Sequence, residues 1–215
     1  MKIIDIDKWN RKIIYKNFIC YDNPVFSISA RLDVTPLYDY CKAHGLSFFT
    51  TFMFIAAKCL NGIDEFRLRL KGGKVVLYEK INPSFIVKRA DGVITTCVTP
   101  ITESFTDFYD ASRRADAEAR TSDRVRFNDT DANDVYFITC MPWVDIVSFA
   151  NPYDLKNADA TSIPRLMWSK FVDECGRKKM TFDVSAHHAL IDGEPVCRGI
   201  NAIQHAIYDA ENFLK

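Results

Sequence analysis

Alternating apolar and polar positions predict strands along much of the chain. In residues 25–30, Val25, Ser27 and Ser29 alternate with Phe26, Ile28 and Ala30, which is the two-residue period of a strand. Short apolar runs bounded by turn residues predict further strands. These cover residues 66–70, 74–79, 83–89, 93–99, 134–140, 144–149, 165–171 and 178–188.

Helical spacing predicts four helices. The first follows Thr35, a good N-cap, and ends at Gly45. The second begins after Ser47 and is apolar on nearly every side over residues 48–60, so we expect it to be buried on nearly every side. Residues 103–120 carry one apolar stripe, and the closing helix repeats apolar residues at steps of three and four from Val196 onward.

Strands and helices interleave without a repeat or a linker, and the polar run at residues 121–134 is predicted to be a loop. This order predicts a single α/β domain over residues 1–215 with a mixed β-sheet.

Composition argues against nucleic acid and membranes as partners and against a disulfide framework. Lys plus Arg equals Asp plus Glu at 28 each, so no excess charge favours nucleic acid or an anionic membrane. Seven scattered cysteines without a CxxC pair predict reduced and mostly buried thiols. Asp5 and Asp7 stand where a signal peptide would need an uninterrupted apolar run. No apolar run reaches the ~18 residues of a membrane span, so we expect a cytoplasmic protein.

The segment 187–193, HHALIDG, carries the candidate chemistry. A strand over residues 178–188 places His188 on the apolar face, opposite His187. A neutral, buried histidine can take and return a proton near neutral pH, so His188 is a candidate general base. Asp192 could orient His188 or fix the turn that carries it, and spacing does not decide between these roles.

Other chemistries have weaker support. A Cys–His pair using Cys140 or Cys197 lacks any local signature, and no phosphate-binding loop or metal-ligand set is predicted.

HHALIDG resembles the HHxxxDG signature of the chloramphenicol acetyltransferase family. Five further segments resemble that family in its order: IDIDKWNR, ARLDVTPLYDYCKAHGLSFF, NGIDEFRLRL, NPSF and MPWV. The resemblance covers nearly the whole chain. It implies a two-layer α/β sandwich, with a mixed sheet and packed helices, that assembles as a homotrimer with active sites between neighbouring subunits.

The resemblance also implies a reaction. His188 would act as the general base that removes a proton from a hydroxyl of chloramphenicol or a related small acceptor, which attacks the thioester of acetyl-CoA directly. Thr139, three residues before Pro142, would hold the oxyanion, and Asp192 would form a buried salt bridge with Arg11. Acetyl-CoA is then a co-substrate, no cofactor or metal is permanently bound, and antibiotic resistance is the implied role.

Further residues are assigned by the same resemblance. Coenzyme A would contact Trp143, Lys170 and Phe171, with Lys170 at a phosphate, although Ser47 stands where the family often has a second lysine. The acceptor pocket would contain Phe18, Phe26, Ile86, Ile94 and Met167. At Asn17-Phe18, Ile86, Ile94 and Met167 the chain departs from the family pattern, so acetylation of a hydroxyl is better supported than acetylation of chloramphenicol.

Two alternatives stay open at this stage. One is acyl transfer to a thiol, because dihydrolipoyl acyltransferase catalytic domains are similar in fold and use a similar His-x-x-x-Asp-Gly motif. This is weakened because the chain starts almost at the fold, without lipoyl or peripheral-binding segments. The other is a non-catalytic ligand-binding homologue, motivated by the altered pocket residues.

Overall fold

A computed structural model of the chain describes residues 1–122, 124–126 and 133–215. Its strands are β1 (Lys2–Ile3), β2 (Val25–Asp33), β3 (Leu68–Lys71), β4 (Lys74–Leu77), β5 (Asn82–Lys88), β6 (Ile94–Val98), β7 (Val135–Met141), β8 (Arg165–Ser169), β9 (Val172–Glu174) and β10 (Arg177–His187). Its helices are α1 (Lys12–Phe18), α2 (Thr35–His44), α3 (Phe48–Asn61), α4 (Phe105–Thr121), α5 (Ala158–Thr161), α6 (Gly193–Tyr208) and α7 (Ala210–Phe213).

The main sheet is mixed, as predicted. In the described part of the chain its order is β2-β10-β8-β7-β5-β6, and β9 pairs with the start of β10. Strand β7 runs parallel to β5 and β8, whereas the other neighbours are antiparallel. The predicted hairpin at Gly72-Gly73 joins β3 to β4, and β1 completes a small second sheet.

The helices cover one face of the main sheet, with α3 at the centre of this layer. Ser47 caps α3 by accepting from the amide of Thr50, and Phe52 packs edge-on against the rings of Trp168 and Phe182 in the sheet. Helix α6 lies close against α3, because a Cβ on Gly199 would come within 2.6 Å of a Leu60 methyl. The predicted burial of α3 on nearly every side is confirmed.

The opposite face of the sheet, here called the outer face, is polar where β2 and β10 pair. Thr181, Asp183, Ser185 and His187 of β10 lie on it and are nevertheless buried. Asp183 accepts from the hydroxyls of Ser29 and Ser185, and burial raises the pKa of its carboxyl. Residues 145–153 reach this face through the Arg31–Asp145 ion pair and the bond from Asn151 Nδ2 to Ser185 Oγ.

That path explains why the strand predicted at residues 144–149 is wrong. Both sides of β7 are already paired, with β5 and with β8, so the residues after Pro142 cannot fold back as a hairpin on β7 and leave the sheet instead. Val144 and Val147 are exposed instead of alternating inward and outward.

Three smaller expectations differ from the structure. Thr35 is the first residue of α2 and not its cap, and its hydroxyl bonds to Asp33 Oδ1. All seven cysteines are free, but Cys20, Cys175 and Cys197 are exposed, because the first two lie in turns and the third lies on the outward side of α6. Within the predicted loop at 121–134, Thr121 ends α4, whereas residues 123 and 127–132 lie outside the described residues.

Over the described residues, the structure contains no helix that combines the length and apolar character needed to cross a membrane.

Candidate active site

His188 is the first residue after β10, in the turn that leads to α6. Its amide donates to the carbonyl of Pro24 at 2.9 Å, which ties the turn to the start of β2. The side chain is 33% exposed within the single chain, so one chain alone buries the imidazole only in part. The strand ends one residue earlier than predicted, and the neighbouring His187 is the buried histidine, at 2% exposure.

Two aromatic rings hold the imidazole of His188. The Phe18 ring stacks on it in parallel, with centroids 3.9 Å apart and planes 8° apart. The Phe26 ring lies 4.7 Å away at an inclined angle. These contacts limit the rotation of the imidazole, so the fold fixes both the position and the plane of the ring.

Arg11 and Asp192 form the ion pair that the resemblance implies. The guanidinium is bidentate: Nη1 donates to Oδ2, and Nη2 donates to Oδ1 at 3.1 Å. Asp192 occupies the N-cap position of α6 but its side chain accepts no capping bond, because both carboxylate oxygens face Arg11. The pair is half-buried and not buried, since the Arg11 side chain is 14% exposed and that of Asp192 is 34% exposed.

The same carboxylate also approaches the imidazole. Asp192 Oδ1 lies 3.3 Å from Nδ1 of His188, although the geometry of a hydrogen bond is not met. The structure therefore brings Arg11, Asp192 and His188 together in one chain. Asp192 is placed where it contacts both partners, so the two roles weighed for it from the sequence are geometrically compatible.

Thr139 lies far from His188 in the same chain. The strand registers place Thr139 beside Met167 and Met167 beside Asp183, two strands across the sheet. His188 follows Asp183 by five residues. With spacings of about 4.8 Å per strand and 3.3 Å per residue, the two Cα atoms are about 19 Å apart. Within one chain these two residues cannot act on the same atom.

Thr139 has predicted acceptor residues beside it on the outer face. Met167 is its neighbour on β8, and Ile86 follows the registered pair Phe85–Ile138 on the other side. Ile94 lies on β6, two residues from Thr96, which pairs with Ile86. The predicted pocket thus separates into two half-sites: one holds His188, Phe18 and Phe26, and the other holds Thr139, Met167, Ile86 and Ile94.

The predicted coenzyme A residues come from two adjoining segments. The amide of Lys170 donates to the carbonyl of Val144 at 3.2 Å, which brings the corner containing Trp143 next to residues 169–171. Trp143 and Lys170 are exposed. The ring of Phe171 instead packs edge-on against Tyr38 and Phe48, so it contacts the helix layer.

A cavity of about 440 Å³ lies between α4, β6 and residues 124–126. Its lining includes none of the predicted site residues. It borders the half-site of Thr139, because Thr96 in the lining pairs with Ile86 and Phe137 lies two residues before Thr139 on β7. Among residues 1–122, 124–126 and 133–215, no three His, Cys, Asp or Glu side chains are grouped so that they could hold a metal ion.

His187 has no role predicted from the sequence, but the structure connects its side chain to the turn after β10. Its Nδ1 accepts from the amide of Ala189 at 3.2 Å. Burial lowers the pKa of His187 to about 4, so its ring is neutral near neutral pH. The signal in the sequence is a side-chain acceptor two residues before a turn amide, the spacing of an Asx turn, with histidine in place of Asn or Asp.

The chain is similar to known proteins over nearly its whole length. Curated relatives named chloramphenicol acetyltransferase include a protein from Proteus mirabilis, 25% identical over 209 residues, covering 94% of this chain and 92% of the relative. Another, from Clostridium perfringens, is 27% identical over 219 residues and covers 99% of this chain and 97% of the relative.

Solved structures agree as well. One named chloramphenicol acetyltransferase superposes with a TM-score of 0.87 at 27% identity, covering 100% of this chain and 99% of that one. The dihydrolipoamide acetyltransferase of Azotobacter vinelandii superposes with a TM-score of 0.70 at 16% identity over 95% of this chain and 89% of that one, which shows a shared fold alone. The family model described as chloramphenicol acetyltransferase matches residues 1–204. The chain therefore belongs to the chloramphenicol acetyltransferase family, a family of acyltransferase enzymes.

Proposed function

We propose that the protein, acting as a single domain over residues 1–215, transfers the acetyl group of acetyl-CoA to a hydroxyl of chloramphenicol or a related small acceptor. The observation that carries this proposal is the setting of His188. Its imidazole is held between Phe18 and Phe26, with Nδ1 toward the Asp192 carboxylate. The name shared by the curated relatives supports the transfer of an acetyl group and chloramphenicol as the acceptor, and acetyl-CoA as the donor is what the family resemblance implies.

The geometry supports His188 as the general base. The carboxylate near Nδ1 favours the tautomer with its proton on Nδ1, which leaves the lone pair of Nε2 free. Nε2 takes the proton of the acceptor hydroxyl while that oxygen attacks the thioester carbonyl carbon. When the tetrahedral intermediate collapses, the C–S bond breaks and the coenzyme A thiolate recovers the proton from Nε2.

Thr139 is the proposed donor to the oxyanion of that intermediate. Its hydroxyl is the type of preorganised donor whose loss typically costs about 10²–10³ in rate. Because about 19 Å separates Thr139 from His188 in one chain, the hydroxyl must come from a second copy. This supports a site that joins the half-sites of two neighbouring subunits, and the homotrimer implied by the family resemblance would place three such sites between its copies.

The second half-site would also bind the acceptor. Ile86 and Ile94 are exposed and supply apolar surface on one side of Thr139, whereas Met167 on the other side is 4% exposed and lies beneath that surface. Phe18 and Phe26 supply aromatic surface from the subunit that carries His188. Since these side chains offer mostly apolar contact, an acceptor with a hydroxyl on an apolar or aromatic body fits them best.

Coenzyme A would bind beside the corner at residues 141–144. The exposed ring of Trp143 offers a flat apolar surface, and Lys170 offers an exposed ammonium to a phosphate. Phe171 would not contact coenzyme A directly; by packing on the helix layer it would hold the backbone of the neighbouring Lys170 in place.

The test measures thiol release from acetyl-CoA with chloramphenicol, with a panel of other hydroxyl acceptors and with dihydrolipoamide. His188→Ala should lower the rate by at least about 100-fold, the low end for a general base. His205→Ala, at an exposed position on α6, is the matched control and should keep the wild-type rate. No thiol release with any hydroxyl acceptor, or activity that survives His188→Ala, would overturn the proposal, and release with dihydrolipoamide alone would favour the thiol reaction.

A further inference from the structure

The turn between β10 and α6 is organised around one residue, His187. The amides of Leu190 and Ile191 both donate to its backbone carbonyl, at 2.9 Å and 3.1 Å. The amide of Ala189 donates to its ring nitrogen Nδ1 at 3.2 Å. Three successive amides of the turn that carries His188 therefore find their acceptors on His187.

The bond to the ring is the one that depends on the side chain. Ala189 is fully buried, so its amide would meet no water if Nδ1 were removed. Nδ1 can accept only when its proton is absent, which places the ring proton on Nε2. Burial keeps the ring of His187 neutral near neutral pH and so preserves this acceptor.

We propose that His187 is a positioning residue: its ring holds the Ala189 amide and thereby fixes the backbone from which His188 reaches the acceptor hydroxyl. This inference rests on the role proposed for His188. It goes beyond the role of His188 because the His187 side chain lies on the outer face and affects the active site only indirectly, through the turn that carries His188. Small displacements of a reacting group lower rates strongly, by about 100-fold for a shift of 1 Å.

The spacing of the bond suggests a matched pair of variants. An acceptor on residue i bonding the amide of residue i+2 is the geometry that Asn and Asp adopt in Asx turns. His187→Asn keeps an acceptor at the δ position, whereas His187→Leu has nearly the shape of Asn and no acceptor. His187→Phe keeps the aromatic ring, again without the acceptor, and serves if the Leu variant does not fold.

The experiment measures kcat and KM for both substrates in the wild type and in these variants, with the melting temperature of each. His187→Leu, or His187→Phe in its place, should lower kcat at least about tenfold and leave both KM values within about twofold. His187→Asn should keep kcat within about threefold of wild type. Equal losses in the Asn and Leu variants, or wild-type kcat in the variants without an acceptor, would overturn the inference.

A second measurement separates this inference from the proposed function. Hydrogen exchange at the Ala189 amide, resolved to single residues by fragmentation, should be slow in the wild type and the Asn variant. It should be faster in the Leu or Phe variant. If the wild type transfers acetyl to no acceptor, the proposed function fails, while equal exchange in all variants refutes the role of His187 regardless of activity.

Discussion

Mixing two inactive variants tests whether His188 and Thr139 act from different copies of the chain. His188→Ala should lose at least about 100-fold in rate, and Thr139→Ala about 10²–10³. A reacting carbonyl must lie about 3 Å from both the hydroxyl donor and the attacking oxygen. The strand registers place the two residues about 19 Å apart in one chain, so no bending of side chains can join them.

The size of the recovery follows from the assembly. In a ring of three copies formed at random from equal amounts of the two variants, half of the copies carry an intact His188 and half carry an intact Thr139. Each contact needs an intact His188 on one side and an intact Thr139 on the other. About a quarter of the contacts satisfy this, so the mixture should recover about a quarter of the wild-type activity.

The assay measures thiol release after the variants are co-expressed or refolded together. Each variant refolded alone is the control, and the mass of the intact assemblies confirms that mixed species have formed. If mixed assemblies are present and activity does not rise above the mean of the two variants, His188 and Thr139 do not meet across a subunit contact.

Two further predictions concern charged groups that hold the fold at this site and at the start of β10. Asp192→Ala should lower the reaction rate, and it should lower the free energy of unfolding by on the order of 1–3 kcal/mol, because the mostly buried Arg11 loses its partner. An unchanged melting temperature with a large rate loss would instead favour a role limited to orienting His188. Burial would raise the pKa of Asp33, but hydrogen bonds, among them those from Arg177 and Lys179, outweigh it and lower the pKa well below its ordinary value. This lowered pKa stabilises the fold fully above about pH 4, and the contribution shrinks as the pH falls from there toward the pKa of the folded state. Asp33→Asn should therefore be less stable than wild type at pH 7, and the difference in unfolding free energy should narrow below pH 4, by about 1 kcal/mol at pH 3, when measured by denaturant unfolding; a difference that stays constant with pH would contradict the assignment.

Local patterns predicted most of the elements, because their causes are local. The cap at Ser47, the apolar run after it and the stop near Gly62 define α3 without reference to the rest of the chain. Local reasoning of the same kind misled at residues 144–149, where a short apolar run beside a turn is typical of a strand. A strand also needs a neighbour with free backbone groups, and β7 has none to offer.

The candidate site was predicted unevenly for the same reason. The motif at residues 187–193 identifies His188 as a candidate base, and the resemblance supplies Arg11 as the partner of Asp192. The distance of 181 positions between Arg11 and Asp192 is closed only by the fold. The role of His187 could not be predicted from the sequence, because its Nδ1 accepts from the Ala189 amide only in the conformation that the following turn adopts.

Side-chain chemistry and periodicity are properties of neighbouring residues, so the reactive groups and the order of the elements could be predicted without a structure. The tertiary structure alone decided that His188 is partly exposed, that Asp192 contacts both Arg11 and His188, and that Thr139 and His188 belong to separate half-sites. The physical reason is that strand order and register set distances between residues far apart in the chain. No local pattern encodes those distances.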